Sequence, residues 1–556
     1  MYNKSVFKGD DNPIPKFYVN RNAKLKPTQD AEWWGFNLDV KLQQVISSAP
    51  ASKCTVQQNM SPDQRRVLKE LQTRLGDMLI IRDDKVNGFV LLTRQQFLNV
   101  RSNELSGNNY TSLDQCVNLA EVRREGKALL EKHKEALGDE LVTFIKAGIS
   151  GDRMSRLNLQ GKSHKGIDID ADVPICVRAI VDAVGYPTTP AATTISKTLS
   201  PMLSSIKTHV QDTEHAIVII EDQPLSQDEY LGVYDIKNFY PTSERENCRD
   251  AVSEKLTEFN YSPEFNAAIM DLEQWITKNV VFCVPTEPGK DGYMYFRMSG
   301  GYGIGLGHSR EMTDIEWARR EEKMMSERRR LGKKLPTISL RMVDDGFFTF
   351  AGTPTELEDY KADLQAMDPS RLLTFEVSRS QVNWLDLTLF KGPRFRSTGV
   401  LDMKVYRKPT SKRMQLPRIS HHPDSTFKAI LTGEAKRILR CTNNKADWLE
   451  VMNEYAVELL NRGYSANELL DNFLNANLFS DRSGLLKPRK PPEYNSVLAL
   501  KLPFTERVRQ IGASRLLRQF YEDAMAVPSL NRAFEKTRFV LALQRTPNLR
   551  DSLVSK

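Results

Sequence analysis

Three aspartates stand where a carboxylate is costly to place. Asp235 lies in Val233-Tyr234-Asp235-Ile236-Lys237-Asn238-Phe239-Tyr240-Pro241, inside an otherwise apolar strand that soon stops. Asp344 and Asp345 are adjacent in Leu340-Arg341-Met342-Val343-Asp344-Asp345-Gly346-Phe347-Phe348, with apolar residues on both sides. Buried carboxylates need a partner or a cation, and neighbouring aspartates in a tight turn repel each other until a cation neutralises them. Three such groups can form a hard oxygen site of the kind Mg²⁺ takes. Two metals bridged by Asp235 and Asp344 would suit in-line phosphoryl transfer, one activating a 3′-hydroxyl and the other holding a triphosphate and its leaving pyrophosphate. An Asp-Asp pair alone is commonly a turn or cap. Its apolar strand context, the first motif and the charge described next favour the metal reading.

From Lys391 to Arg440 there are 13 Lys and Arg against three acids, Asp402, Asp424 and Glu434. That local excess is larger than the net +8 of the whole 556-residue chain. Phe395, Tyr406, His421, His422 and Phe427 are interleaved with the cations. Phosphate neutralisation plus ring stacking is how proteins hold nucleic-acid backbones. Arg407, Lys408, Lys412 and Arg413 are the candidate contacts. A second basic cluster, Arg328 to Lys334, predicts an exposed loop.

These groups need a scaffold, and the composition allows one. Apolar residues make up 40% and charged residues 27%, as in ordinary globular proteins. No apolar run of about 18 residues predicts a membrane span, and the N-terminus lacks the apolar core of a secretory signal. The six cysteines are scattered without a C-x-x-C pair. That argues against a disulfide framework or structural zinc and fits a reducing compartment.

Periodicity predicts an extended arm over the first 60 residues, a helix over Pro62–Leu79 and a short buried strand over Gly88–Leu92. A helix follows over Leu119–Ala147, then a strand within Val173–Val184, and a helix over Ala191–Ile206 after the Tyr186–Pro190 turn. A strand over Gly232–Phe239 precedes a helix capped by Ser243 and running to Phe259. Thr337–Phe350 predicts a β-hairpin with both acids at its tip. Beyond about residue 425 the pattern is mostly helical, with a basic linker at Lys487–Pro492.

Taken in order, the motifs resemble those of reverse transcriptases. Asp235–Pro241 is similar to motif A and Met342–Asp345 to motif C. Other pieces resemble the Penelope-like branch, a sister lineage of telomerase reverse transcriptases. Arg82–Leu91 resembles its fingers segment "ADKGGAVV", Leu157–Lys165 its "LPKIHK", Val177–Val181 its "RPIV" and Asn383–Leu389 its "FLDL" primer-grip region. Tyr406–Thr410, His422-Pro423 and Arg462–Tyr464 are similar to its thumb pattern, and Pro547–Asp551 to its "NLRDLL". Motif B departs: it reads Gly301-Tyr302-Gly303-Ile304-Gly305-Leu306-Gly307-His308-Ser309-Arg310-Glu311, where His308 and Arg310-Glu311 are unusual. Ala179 replaces the proline of "RPIV". No GIY-YIG motif is found, so the resemblance implies an endonuclease-lacking or truncated member.

The resemblance implies an α+β right-hand polymerase with fingers, an antiparallel palm sheet and a helical thumb. Its expected division is an N-terminal extension 1–64, N-terminal helices and fingers 65–230, palm 231–395, thumb 396–486 and a C-terminal segment 487–556. It implies an RNA-directed DNA polymerase extending a primer 3′-end, in a retroelement or a domesticated gene. The implied partners are an RNA template, a DNA primer, their RNA–DNA hybrid and deoxynucleoside triphosphates. The implied cofactor is a pair of Mg²⁺ ions, with Mn²⁺ as substitute. The implied location is nuclear, with organellar or viral origin left open. By motif match, Asp235, Asp344 and the Ile236 carbonyl are the metal ligands, and Asp345 supports them. Tyr240 falls at the sugar gate. Lys85 and Arg178 would meet the triphosphate, Gly305 and Gly307 would let backbone approach the template base or nucleotide, and Lys162 and Lys165 would touch template or phosphate. Two other functions compete: a nucleic-acid-binding protein with a decayed polymerase core, and a polymerase with DNA-templated or terminal-transferase activity.

Overall fold

The structure is a computed structural model. It describes residues 62–74, 78–85, 88–287, 292–408, 415–420, 422–475, 478–487, 493–494, 496–504, 513–534 and 536–544. The expected N-terminal arm, Lys412, Arg413, most of the Lys487–Pro492 linker and the Pro547–Asp551 segment lie outside these residues. Among the described residues no helix is long and apolar enough to cross a membrane.

Sixteen described strands form four sheets. They are β1 (Met78–Asp83), β2 (Phe89–Thr93), β3 (Tyr110–Leu113), β4 (Ser155–Gly161), β5 (Val177–Asp182), β6 (Tyr230–Ile236), β7 (Val281–Pro285) and β8 (Tyr293–Met298). Then come β9 (Ile338–Met342), β10 (Asp345–Phe350), β11 (Leu373–Ser378), β12 (Gln381–Trp384), β13 (Leu387–Phe390), β14 (Asp402–Val405), β15 (Ser496–Pro503) and β16 (Thr537–Gln544).

The central sheet has the order β11-β6-β10-β9 and is antiparallel throughout. Strands β6, β9 and β10 are mostly apolar on both faces because both are covered, whereas the edge strand β11 exposes Thr374 and Glu376. Strand residues alternate sides, so along β10 Phe347 points one way and Phe348 and Phe350 the other. Phe347 enters a core with Leu231, Leu340 and Trp384 that continues into the helix Asp424–Cys441. Phe348 and Phe350 pack on Tyr360 of the helix Pro354–Ala366. All three phenylalanines are fully buried, each contributing about 1.5–3 kcal/mol through the area it removes from water. The helix Ser309–Arg330 packs on the same side as Tyr360 through Trp317 and Met324.

A larger sheet of seven strands, β2-β1-β4-β7-β8-β3 with β5 on β4, holds the segments before β6 and the β7–β8 hairpin. Helices Leu119–Lys132, Lys134–Gly148, Thr189–Leu203, Arg245–Glu258 and Pro263–Lys278 form a large core beside it. The antiparallel trio β12-β13-β14 carries the helices Asp424–Cys441 and Lys445–Asn461. Strands β15 and β16 pair in parallel.

Several expectations are corrected. The Pro62–Leu79 pattern divides into a helix ending at Arg74 and the start of β1, because Met78–Ile81 is buried as a strand. Leu119–Ala147 is two helices meeting at His133. Strand β2 is buried on one face only, leaving Phe89 and Leu91 exposed. Ser243 does not cap: its hydroxyl donates to the Phe239 carbonyl at 2.7 Å, and Glu244 occupies the cap position without a side-chain bond. Arg328 does not belong to an exposed loop. It is 2% exposed at the end of its helix and is held by Asp359 and Asp363.

Candidate active site

Asp235 is the penultimate residue of β6 and Asp345 the first of β10, and the two are direct partners across the ladder. Asp345 also pairs with Met342 of β9, so only Val343 and Asp344 make the turn. The expected hairpin is present, but its tip holds one of the two acids and its first paired position the other. The Ile236 amide donates to the Asp344 carbonyl at 3.0 Å, fixing the turn against the end of β6. The three carboxylates are thus gathered at one strand end by sheet register.

The turn is strained. Val343 has φ +61°, in the left-handed region that β-branched residues avoid. Positive φ at the first central residue is the pattern of a II′ turn, where Gly is preferred. Such a conformation costs on the order of 1–3 kcal/mol and persists only where the surroundings impose it. Here Arg341 Nη1 donates to the Val343 carbonyl at 2.7 Å.

The electrostatics report crowding of like charge. Burial, and then the neighbouring Asp235, raise the Asp344 carboxyl above its usual range, while Arg178 and Lys85 act to lower it. Asp345 is pushed up to about 6, first by lost hydration and then by Asp344 and Asp235, against the pull of Lys408 and Lys85. Asp345 is itself open to solvent, so solvent screening tempers this shift. Lys237 Nζ lies 2.6 Å from Asp235 Oδ2, so one carboxylate already holds a cation.

The expected phosphate cations converge on this acidic end from outside the central sheet. Arg178 on β5 pairs with Asp84 at 3.4 Å. Asp83, buried at the end of β1, accepts from the amides of Lys85 and Ser163 at 3.1 and 3.2 Å, which joins the Lys85 turn to the Lys162–Lys165 segment. Burial lowers the Lys85 pKa, and Lys408 and Arg178 lower it further. Lys162 is lowered by burial and then by Lys165 and Arg178. Lys85, Arg178 and Lys408 therefore share one electrostatic neighbourhood with Asp344 and Asp345. Lys165 is exposed at its edge.

Tyr240 is partly buried where two cores meet and packs on Phe239, whose ring in turn lies on Trp317 and under Arg371. Burial raises its phenol, and Asp314 and Asp344 raise it further, which places it beside the carboxylates. Its carbonyl accepts from the Tyr302 amide at 2.9 Å, joining it to the glycine-rich ribbon. Gly305 in that ribbon has φ +104°, and a Cβ there would meet the Val181 carbonyl oxygen at 2.3 Å. Glycine lets the ribbon lie on β5, where the Val181 amide bonds the Ile304 carbonyl at 2.8 Å. Gly307 is under no such constraint, the nearest atom being 3.8 Å from its notional Cβ. Both glycines are exposed. The unusual residues after them are packing groups. His308 is fully buried edge-on to Tyr302, its pKa lowered to about 3 by burial, so it is neutral. Glu311 accepts from Ser200 at 2.9 Å.

Five arginines of the basic stretch are held in ion pairs, while Arg396, Lys408, Lys428 and Lys436 are exposed. Arg407 bonds Glu458 at 2.9 Å and stacks 3.1 Å from the Tyr455 ring centroid. Arg418 pairs with Glu468, Arg437 with Glu434, Arg394 with Asp402 and Arg440 with Glu214. Of the four cations expected to bind a nucleic-acid backbone, Lys408 reaches the carboxylates' neighbourhood and Arg407 is held within its own helical layer.

Sequence reasoning missed Lys237, Asp83, Asp84, Trp384 and Arg341. The indole of Trp384 donates to the Asp345 carbonyl at 3.3 Å and its ring stacks on Phe347, tying β12 to β10. A charged residue inside the apolar strand Ile338–Met342 was the signal that could have marked Arg341.

No protein-family model matches the chain, and no curated protein matches it. Solved structures do. The telomerase of Candida albicans in complex with a fragment of telomeric RNA is 10% identical over 85% of this chain and 74% of its own, with a TM-score of 0.50. A Candida tropicalis telomerase lacking its C-terminal domain matches at 11% identity and a TM-score of 0.39, and the chain covers 63% of that structure's length. The RNA-dependent RNA polymerase of a human picobirnavirus, in a loop-deleted form, matches at 12% identity and 0.36, over 80% and 88% of the two chains. At these identities the likeness speaks to architecture alone, and the Candida albicans telomerase carries it. The central antiparallel sheet with acids at one strand end, the larger sheet and the helical layers give this chain an α+β right-hand fold like that of the Candida albicans telomerase.

Proposed function

We propose that the chain is a nucleic-acid polymerase, and specifically an RNA-directed DNA polymerase of the Penelope-like kind. The observation that carries the reading is the meeting of Asp235 with Asp344 and Asp345 at one strand end, opposite Lys85 and Arg178. The ordered motifs from Arg82 to Tyr464 support the Penelope-like assignment.

A divalent cation fits the donor set. Among the described residues no three His, Cys, Asp or Glu side chains cluster tightly enough to enclose a metal alone. A polymerase site does not need such a cage, since substrate phosphates and a main-chain carbonyl supply the remaining oxygens. The raised carboxyls of Asp344 and Asp345 are what crowded like charge produces, a cation would relieve that crowding, and Asp235 already pairs with the Lys237 ammonium. Asp235, Asp344 and the Ile236 carbonyl would hold two Mg²⁺ ions, which when bound activate the primer hydroxyl and neutralise the triphosphate. Asp345 adds negative charge beside them. Lys85 and Arg178 offset the charge of the departing pyrophosphate, and the planar guanidinium suits bidentate contact. Tyr240 crowds the 2′ position of the incoming sugar, and Gly305 keeps the ribbon beneath it flat against β5. An RNA template, a DNA primer, their hybrid and deoxynucleoside triphosphates are the partners of this reading, with nuclear residence implied by the family resemblance.

Primer extension on RNA and DNA templates tests it. Mg²⁺- or Mn²⁺-dependent extension on RNA, abolished in Asp344→Asn with primer–template binding retained, is the expected outcome. Binding without extension would leave a decayed polymerase core. Extension confined to DNA templates, or without a template, would identify a different polymerase.

A further inference from the structure

Arg341 stands directly behind the catalytic turn and is inaccessible to solvent. Its Nε contacts Glu321 at 3.0 Å, its Nη1 contacts Asp314, and Nη2 donates to the Asp314 carbonyl at 3.3 Å. Both acids belong to the helix Ser309–Arg330 and are themselves buried. Glu321 is shared with the hydroxyls of Tyr234 and Thr208 at 3.1 and 2.7 Å. The far oxygen of Asp314 faces His209 and Arg310, each at 3.7 Å. The main chain of Arg341 is fixed too: its amide donates to Thr208 at 2.6 Å and its carbonyl accepts from Val210 at 3.0 Å.

A side chain held at this many points has little freedom left, and the second hydrogen of its Nη1 goes to the Val343 carbonyl at 2.7 Å. Val343 is the strained residue of the turn and directly precedes Asp344. The guanidinium thus spans from a rigid helix to the one peptide whose orientation decides where Asp344 points. A lysine ammonium is a single point and cannot reach two acids and this carbonyl in the same fork geometry.

Resting on the polymerase reading above, we propose that Arg341 is a positioning residue: by holding the Val343 carbonyl it keeps Asp344 in its metal-binding orientation and so sets the affinity of the site for divalent cations. Touching neither metal nor substrate, it acts through Asp344.

The test is Mn²⁺ binding to the full chain with primer–template present, followed by the loss of the free-ion paramagnetic signal. Arg341→Lys is expected to weaken Mn²⁺ binding on the order of tenfold, the range found when a residue that orients a metal ligand is replaced. Primer–template affinity should change little, while the melting temperature falls because a buried acid loses its partner; the Mn²⁺ comparison is therefore made well below the variant's melting temperature. Val343→Gly removes the backbone penalty that the guanidinium counters, so Arg341→Lys/Val343→Gly should recover most of the lost Mn²⁺ affinity. If the lysine variant does not fold, Asp314→Asn/Arg341→Gln, which removes a negative with the positive charge, is compared with its own Val343→Gly version. Unchanged Mn²⁺ affinity in the variant, or no recovery on adding Val343→Gly, overturns the proposal. Asp344→Asn separates this failure from failure of the polymerase reading. If wild type binds no Mn²⁺, or Asp344→Asn binds it normally, the metal site itself is wrong.

Discussion

Replacing Asp345 by asparagine should stabilise the metal-free protein, and only above a definite pH. In the fold the Asp345 carboxyl titrates at about 6 against 3.8 for a free side chain, because lost hydration and then the charges of Asp344 and Asp235 oppose its ionisation. The folded state therefore holds this proton more tightly than the unfolded chain. The associated stability is complete below pH 4 and is lost as pH rises through 6. At about 1.4 kcal/mol for each pH unit, full conversion gives about 3 kcal/mol. Asp345 is open to solvent, and screening reduces that to about 1–2 kcal/mol. An asparagine side chain at this position has no charge to desolvate, so in EDTA at pH 8 the variant should unfold at higher urea than wild type. At pH 4 the two midpoints should converge. Adding Mg²⁺ at pH 8 should raise wild type more than the variant, since cation binding relieves the repulsion that the substitution has already removed. Coincident midpoints at pH 8 without metal, or a gap that persists at pH 4, would refute the account of acidic crowding.

Tyr240→Ala should raise ribonucleotide over deoxynucleotide incorporation efficiency by about tenfold, on the order of 1.4 kcal/mol of differential barrier, because the ring excludes by clash; steady-state incorporation of both nucleotides measures it, and an unmoved ratio makes Tyr240 a packing residue. Arg407→Ala should cost about 1–2 kcal/mol of stability through the lost Tyr455 stacking and Glu458 pair, read by thermal melting. The slope of primer–template affinity against salt should stay unchanged in that variant, whereas a phosphate contact would flatten it by about 0.7–0.9.

The strand of Asp235 and the hairpin of Asp344 were legible because their cues are local: apolar alternation, and a short polar break between two apolar runs. Register was not. Nothing within either motif says that Asp345 faces Asp235, since that depends on a pairing between distant strands. The helix Ser309–Arg330 is harder to read from its sequence. Its charged composition reads as a solvated surface, yet Asp314, Glu316, Glu321 and Arg328 are all buried. Their partners Arg341, Arg371, Asp359 and Asp363 come from later segments, and no window of the helix contains them. The ion pairs of the basic stretch were hidden for the same reason. Its surplus was counted locally, while Glu214, Glu458 and Glu468 lie beyond it. The motif B departures became intelligible only once His308 was seen to be a neutral buried ring.

The two-residue turn at Val343–Asp344 makes the spacing of the carboxylates a matter of counting. Asp235 meets Asp345 because Met342 meets Asp345, with no slack between. One added residue would shift the pairing by a step, and each step exchanges the two faces of a strand. Phe347 and Phe348 would swap cores, and Asp345 would leave its partner. Point changes around the turn can be absorbed by side-chain adjustment, but a change of length cannot. Variation in length among proteins that keep this chemistry should therefore be absent from the turn and collect elsewhere, as in the β7–β8 connection, where the strands can part without moving an acid.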